Sequence, residues 1–175
     1  MLLELVVVEK VLVSQVDILK LDYYTLFEVQ SAPFVDLKLL KIRYHKLAFL
    51  YHPDRCAANS AAIMAYINSA YAVLKDPIKS AGYWLQRQSV IVQGTGGNLE
   101  LHFELRHQLE NIKTRAAFQQ FLAHVDATLG MLPKRFLMGL EESLEKAANV
   151  LCDWYFYEKL KKDVQQKRVT CLWYN

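Results

Sequence analysis

Residues 36–55 read DLKLLKIRYHKLAFLYHPDR. Leu40, Tyr44, Leu47 and Tyr51 recur at i, i+4, i+7 and i+11, the apolar stripe of one α-helix, and Asp36 stands where an N-cap is needed. The spacing predicts a helix over 36–51. Charged residues fall off the stripe. On a helical wheel of 100° per residue, Lys38, Lys41 and His45 gather on one exposed flank and Arg43 and Lys46 on the other. The helix then runs straight into His52, Pro53 and Asp54, which place an imidazole, a rigid ring and a carboxylate in a row.

Those three residues do not assemble an active site. Pro53 fixes the backbone between His52 and Asp54 and splays their side chains. No Ser or Cys nucleophile is implied by spacing, and no Gly-rich oxyanion or phosphate loop accompanies them. One His and one Asp are too few for a metal, and His45 lies seven residues upstream, within the helix. Two readings stand: a helix stop in which Asp54 caps the next segment, and a rigid tip at the end of a basic, solvent-facing helix.

On either side of this stretch, helices are predicted over 22–29, 60–75 and 78–88. Ile67, Ala70, Tyr71 and Leu74 form the apolar stripe of the second of these. Few residues separate it from the basic helix, so the two are expected to pack as an antiparallel hairpin. Pro77 in KDP (75–77) ends it, because the residue before proline avoids the α conformation. SVIVQGTGG (89–97) holds three glycines within four positions and reads as a linker. Beyond it, Asn98 is a candidate N-cap, and helices are predicted over 99–113, 114–128 and 134–168, with LGMLP (129–133) separating the last two. The expected fold is therefore all-α, with two helical units joined by a Gly-rich hinge.

Composition agrees with that class. Of 175 residues, 53% are apolar and 22% charged, which suits a globular chain and not a disordered one. The net charge of +3 allows a local basic face without demanding nucleic acid. Three cysteines, Cys56, Cys152 and Cys171, make neither a CxxC pair nor an even set, which argues against a disulfide framework or structural zinc. No cofactor is expected. The first 21 residues carry Glu4, Glu9 and Asp17 and no Arg, which fits neither a secretory signal nor a mitochondrial presequence; they stand as an N-terminal extension.

LELHFELRHQLENI (99–112) carries apolar residues on two faces. Leu101, Leu105, Leu109 and Ile112 make a core stripe, while Leu99 and Phe103 lie nearly opposite, beside Glu100, Glu104 and His107. Such a helix is either buried twice or binds something. WYFY (154–157) points four consecutive aromatics in all directions of a helix, so at least one is expected near the surface.

With these motifs in place the chain resembles a known family. DYYTLFEV (22–29), the basic helix 36–51, YHPDR (51–55) and INSAYAVLKDPIKSAGYWL (67–85) together are similar to a J-domain. YYTLF and SAGYWL resemble the HscB/Jac subfamily, the J-proteins of iron–sulfur cluster assembly. The resemblance implies a J-domain over 22–88, a linker over 89–97 and a C-terminal three-helix bundle over 98–175. It implies a co-chaperone, not an enzyme. His52, Pro53 and Asp54 are then the tip that stimulates ATP hydrolysis in a DnaK-class, HscA-like chaperone, with Lys38, Lys41, Arg43, His45 and Lys46 as its docking face. The bundle is implied to hold an IscU-type scaffold through Leu99, Phe103, Glu104, His107 and Phe156. The sequence departs from the family pattern at Glu100, where an apolar side chain is common, and at His107 and Asn111, where acids are common. Twelve positions separate Asp54 from Ile67, fewer than the subfamily pattern, so the loop is trimmed or the next helix starts sooner.

Two other readings compete: a general J-protein whose bundle binds a different client or self-associates, and a helical nucleic-acid-binding protein using Lys38, Lys41 and Lys46. The small net charge and the lack of base-stacking motifs count against the second. A bacterial cytoplasm is the expected location, with the mitochondrial matrix as the alternative and no membrane partner.

Overall fold

The computed structural model describes residues 18–52, 60–92 and 97–170. Pro53, Asp54, the loop after them and the core of the Gly-rich segment lie outside these residues. The described residues form seven α-helices and no strand: α1 (Tyr23–Leu26), α2 (Leu37–Leu50), α3 (Ser60–Lys75), α4 (Pro77–Arg87), α5 (Leu99–Asn111), α6 (Arg115–Glu142) and α7 (Leu144–Thr170). Packing divides the chain into two compact units between Ser80 and Ala81, inside α4 and ahead of the glycines.

In the first unit local chemistry sets each helix start. Asp22 Oδ1 accepts the amides of Tyr24 and Thr25 at 3.0 and 3.1 Å. The helix it caps is one turn long, shorter than the predicted 22–29, because Glu28 adopts φ 51° and turns the chain. Asp36 Oδ1 accepts from Lys38 and Leu39 at 2.8 and 3.2 Å and starts α2 where the sequence placed it. Asp76 Oδ1 likewise accepts from Ile78 and Lys79. Pro77 is the first residue of α4, where its missing N–H costs nothing, so Asp76-Pro77 both ends α3 and begins α4.

Leu40, Phe27, Ile63, Ile67, Ala70 and Leu74 fill the core of this unit. Tyr44 stacks on Tyr71 with centroids 4.2 Å apart, and its hydroxyl donates to Asn68 Oδ1 at 3.0 Å, which locks α2 onto α3. The last residues of the N-terminal extension join the unit as well. Ile18 is buried, and the Tyr66 hydroxyl donates to the carbonyl of Leu21.

The second unit is built on α6 and α7. The predicted break at LGMLP is overturned: α6 continues through Pro133 to Glu142, and the chain turns at Ser143. A proline inside a helix costs about 3 kcal/mol. The buried stripe Phe118, Phe121, Val125, Thr128, Leu132, Phe136 and Gly139 runs straight past it. Full burial of a residue such as Leu132 or Phe136 contributes about 1.5–3 kcal/mol, so packing outweighs the proline. At the real turn Ser143 is extended (φ −168°, ψ 155°), and its hydroxyl accepts the Lys146 amide at 3.1 Å. Small residues let the two helices meet there. A Cβ on Gly139 would stand 3.1 Å from the Ala147 nitrogen and 3.2 Å from its Cα, and Ala147 is fully buried.

Leu151, Trp154, Tyr157, Leu160 and Val164 supply the α7 side of this core. Thr114 caps α6 by accepting the Ala117 amide at 3.2 Å. Lys161 Nζ pairs with Asp126 Oδ1 at 2.8 Å between the two long helices. α5 adds Leu105 and Leu109 to the core.

Candidate partner-binding surfaces

The first surface is the solvent side of α2. With Leu40, Tyr44 and Leu47 turned towards α3, helical geometry leaves Lys38, Lys41, His45 and Lys46 outside, and all four are exposed. Arg43 stands apart from them. It is half-buried, and its Nη1 pairs with Glu28 Oε2 at 2.7 Å, so its charge is partly answered within the unit. The left-handed turn at Glu28 is what brings that carboxylate within reach. The His45 ring sits edge-on to Tyr44 at 5.5 Å. The helix closes at Tyr51, whose amide donates to Leu47 O at 2.9 Å, and His52 comes directly after it, exposed. Pro53 and Asp54 fall outside the described residues.

Two apolar residues on this face escaped the reading of charge alone. Ile42 is 65% exposed and Phe49 62%, between the Lys38/Lys41/His45 flank and Lys46. Their signal was in the sequence: seven residues apart, they share a face nearly opposite Leu40. The solvent side of α2 is therefore a basic surface with an apolar centre, suited to a partner that is acidic at its rim and apolar within.

The second surface is on α5 and α7. Leu105 and Leu109 are buried, Leu101 and Ile112 half-buried, and the opposite side is open: Leu99 is 54% exposed and Phe103 68%. The choice between double burial and an outward apolar face is thus decided for exposure. Glu104 and His107 are exposed beside them. Glu104 Oε1 accepts from Gln108 Nε2 at 3.2 Å, and Asn111 Nδ2 lies 3.1 Å from His107 Nε2 and donates to His107 O at 2.9 Å. Glu100 is exposed near the helix start.

Of the four aromatics 154–157, Trp154 and Tyr157 are buried, Phe156 is half-buried and Tyr155 is the exposed one. Phe156 lies face to face with His102, with ring centroids 3.8 Å apart and planes 7° apart. The Arg106 guanidinium lies 5.6 Å from the same ring's centroid. Burial pushes the Tyr157 phenol above its usual range.

The sequence reading missed what holds α5. Asp153 Oδ1 accepts the backbone amide of Asn98 at 3.0 Å and stands 2.8 Å from His102 Nε2. At the other end, Lys167 Nζ donates to the carbonyls of Leu109 and Glu110. The partners in these pairs are far apart in the chain, and no local pattern announces them.

No group of three His, Cys, Asp or Glu side chains placed to hold a metal lies among the described residues, and none of their helices is long and apolar enough to cross a membrane.

The family model of the DnaJ domain matches residues 22–83. A curated "Co-chaperone protein HscB homolog" from Vibrio vulnificus strain YJ016 is 28% identical over 163 residues, covering 83% of this chain and 95% of that one. The protein of the same name from strain CMCP6 matches equally. Among solved structures, chaperone HscB from Vibrio cholerae superposes with a TM-score of 0.76 at 26% identity, over 85% of this chain and 99% of its own. The human co-chaperone protein HscB shares the fold, with a TM-score of 0.75 at 22% identity over 86% of this chain and 84% of its own. The chain carries a DnaJ domain and is similar over most of its length to HscB co-chaperones.

Proposed function

We propose that this chain, with its DnaJ domain and its similarity to HscB co-chaperones over most of its length, delivers an IscU-type iron–sulfur scaffold to a DnaK-class, HscA-like chaperone and stimulates ATP hydrolysis there. The J-domain comprises 22–88 and the scaffold-binding bundle 98–175, joined by 89–97. His52, Pro53 and Asp54 act as the tip that triggers hydrolysis in the partner. Lys38, Lys41, His45 and Lys46 steer the encounter with an acidic surface, and Arg43 contributes what its pairing with Glu28 leaves. Leu99 and Phe103 supply the apolar contact to the scaffold, with Glu104, His107 and the half-buried Phe156 around it. The setting is the cytoplasm of a bacterium.

The mechanism is proximity. With both sites on one chain, binding of the scaffold makes its encounter with the chaperone effectively intramolecular, so the two partners meet more often than their concentrations allow. The chain itself makes and breaks no covalent bond. Exposure of Phe103 at 68%, on a helix whose other side is already buried, carries the scaffold half of this reading. A side chain of that size left in water is the feature expected of an interface anchor.

A steady-state ATPase assay with an HscA-like chaperone, with and without an IscU-type scaffold, tests it. Stimulation by the wild-type chain that disappears in His52→Gln, together with further stimulation when scaffold is added, is the expected outcome. Absence of stimulation across several DnaK-class chaperones would sink the proposal. Stimulation that scaffold never enhances would point to a J-protein with another client.

A further inference from the structure

α5 carries the exposed pair Leu99 and Phe103, yet it commits fewer buried apolar side chains to the core than α6 or α7. α6 and α7 bury Phe118, Val125, Leu132 and Phe136 against Leu151, Trp154, Tyr157, Leu160 and Val164. α5 commits only Leu105 and Leu109 fully. A helix with so little apolar anchorage can pivot about those two side chains, and its exposed ends would travel furthest.

Both ends are held by polar side chains of α7. At the N-terminal end Asp153 Oδ1 takes the Asn98 amide and His102 Nε2 at 3.0 and 2.8 Å. An ionised carboxylate only accepts, so the ring nitrogen is the donor. Gly97 adopts φ +96°, and a Cβ there would come within 2.5 Å of the same carboxylate oxygen. The chain thus approaches Asp153 as closely as a glycine allows. His102 is also clasped from the side by the parallel ring of Phe156 at 3.8 Å. At the C-terminal end Lys167 places its ammonium on the Leu109 and Glu110 carbonyls, where the helix leaves acceptors open and its dipole favours a cation. Between these two holds runs a helix of 13 residues with Leu99 and Phe103 on its open side.

We infer that Asp153 and Lys167 are positioning residues: from α7 they fix the two ends of α5 and so hold Leu99 and Phe103 in the arrangement that the scaffold meets. This rests on the scaffold-binding reading above. Neither residue needs to touch the scaffold. Each acts by raising the fraction of molecules whose α5 is docked, and the apparent affinity of a partner scales with that fraction. Phe156 acts in the same sense through His102.

Amide hydrogen exchange on the full-length chain, read helix by helix, tests the clamps without any partner. Each clamp is a hydrogen bond to a charged group, stronger than one between neutral groups. Asp153→Ala and Lys167→Met are therefore each expected to speed exchange across α5 by about ten- to hundredfold, while the most protected amides of α6 and α7 keep their rates. Asp153→Asn keeps an oxygen acceptor and Lys167→Arg keeps a donor, and both are expected to recover most of the protection. Scaffold affinity should fall about three- to tenfold in the Ala and Met variants and recover in the conservative ones, with scaffold-free chaperone stimulation unchanged.

Unaltered α5 exchange in both disruptive variants would overturn the inference. So would a rise spread equally over α6 and α7, which marks a general loss of stability. Phe103→Ala separates the two readings. It should weaken scaffold binding without changing α5 exchange. Full scaffold affinity in Phe103→Ala would instead refute the scaffold-binding reading, and the exchange rates would still decide whether the clamps hold α5. Faster α5 exchange with scaffold affinity intact, in a chain where Phe103→Ala does weaken binding, would overturn the positioning role.

Discussion

α2 and α5 are both helices with a buried stripe and an open, solvent-exposed face, but they are held in different ways. α2 is fixed by its own apolar side and the Tyr44–Tyr71 stack, and its face is written in basic residues flanking Ile42 and Phe49. α5 has a thin apolar side and borrows its position from α7 through Asp153 and Lys167. A surface that works by charge tolerates loose placement, because attraction acts over about 8–10 Å at ordinary salt. A surface that works by apolar contact must be placed to within a side chain's reach, which is where the extra polar clamps belong.

Asp54→Asn should separate the two surfaces completely. It is expected to abolish stimulation of the chaperone, a loss of at least about tenfold in the stimulated rate, while leaving scaffold affinity at the wild-type value. A matching fall in scaffold affinity, measured by calorimetry, would mean that the two sites are not independent.

A more modest change tests charge against contact. Replacing Lys38, Lys41 and Lys46 together by Glu should slow association with the chaperone by about tenfold at low salt, and the difference should shrink as salt rises. Leu99→Ala should weaken scaffold binding by an amount nearly independent of salt. Salt-independent loss in the lysine variant would show that α2 docks by shape and not by steering.

The least change is expected in the core beneath α7. Burial raises the folded-state pKa of the Tyr157 phenol above its ordinary value near 10. A group raised on folding gives its full stabilisation below the unfolded value and loses it as pH climbs through the folded one. The melting temperature of the wild-type chain should therefore fall more steeply than that of Tyr157→Phe above about pH 10, by no more than about 2–4 °C. Below that pH the difference between the two should stay constant. Parallel curves across the alkaline range would remove Tyr157 as the source.

What the sequence made legible was local. Asp36 and Asn98 cap the helices they were assigned, α3 occupies the span predicted for it, and Asp76-Pro77 ends one helix and starts the next. Counting faces set Leu99 and Phe103 apart from the core stripe and left burial or exposure open, and it required only that one of the aromatics 154–157 lie near the surface; the fold exposes Leu99 and Phe103 and makes Tyr155 that aromatic. The break between the last two helices was misplaced because Pro133 and Gly130 are strong local signals. The stripe from Thr128 to Gly139 that overrides them draws its energy from α7, which no local window contains. Arg43 reads as one more surface cation until the turn at Glu28 brings a carboxylate to it. The clamps on α5 were illegible for the same reason: Asp153 and Lys167 look like ordinary polar residues of a long helix, and only the fold shows what they reach.

The flat stack of His102 on Phe156 also gives the molecule a reporter of its own. Rings held parallel with centroids 3.8 Å apart put the imidazole protons above an aromatic face, where the ring current shields them. In a proton spectrum their resonances belong upfield of ordinary histidine positions for as long as α5 is seated. When α5 lifts from α7 the shielding vanishes and the lines return. The chemical shift of one histidine thus measures, without any label, how much of the population presents Leu99 and Phe103.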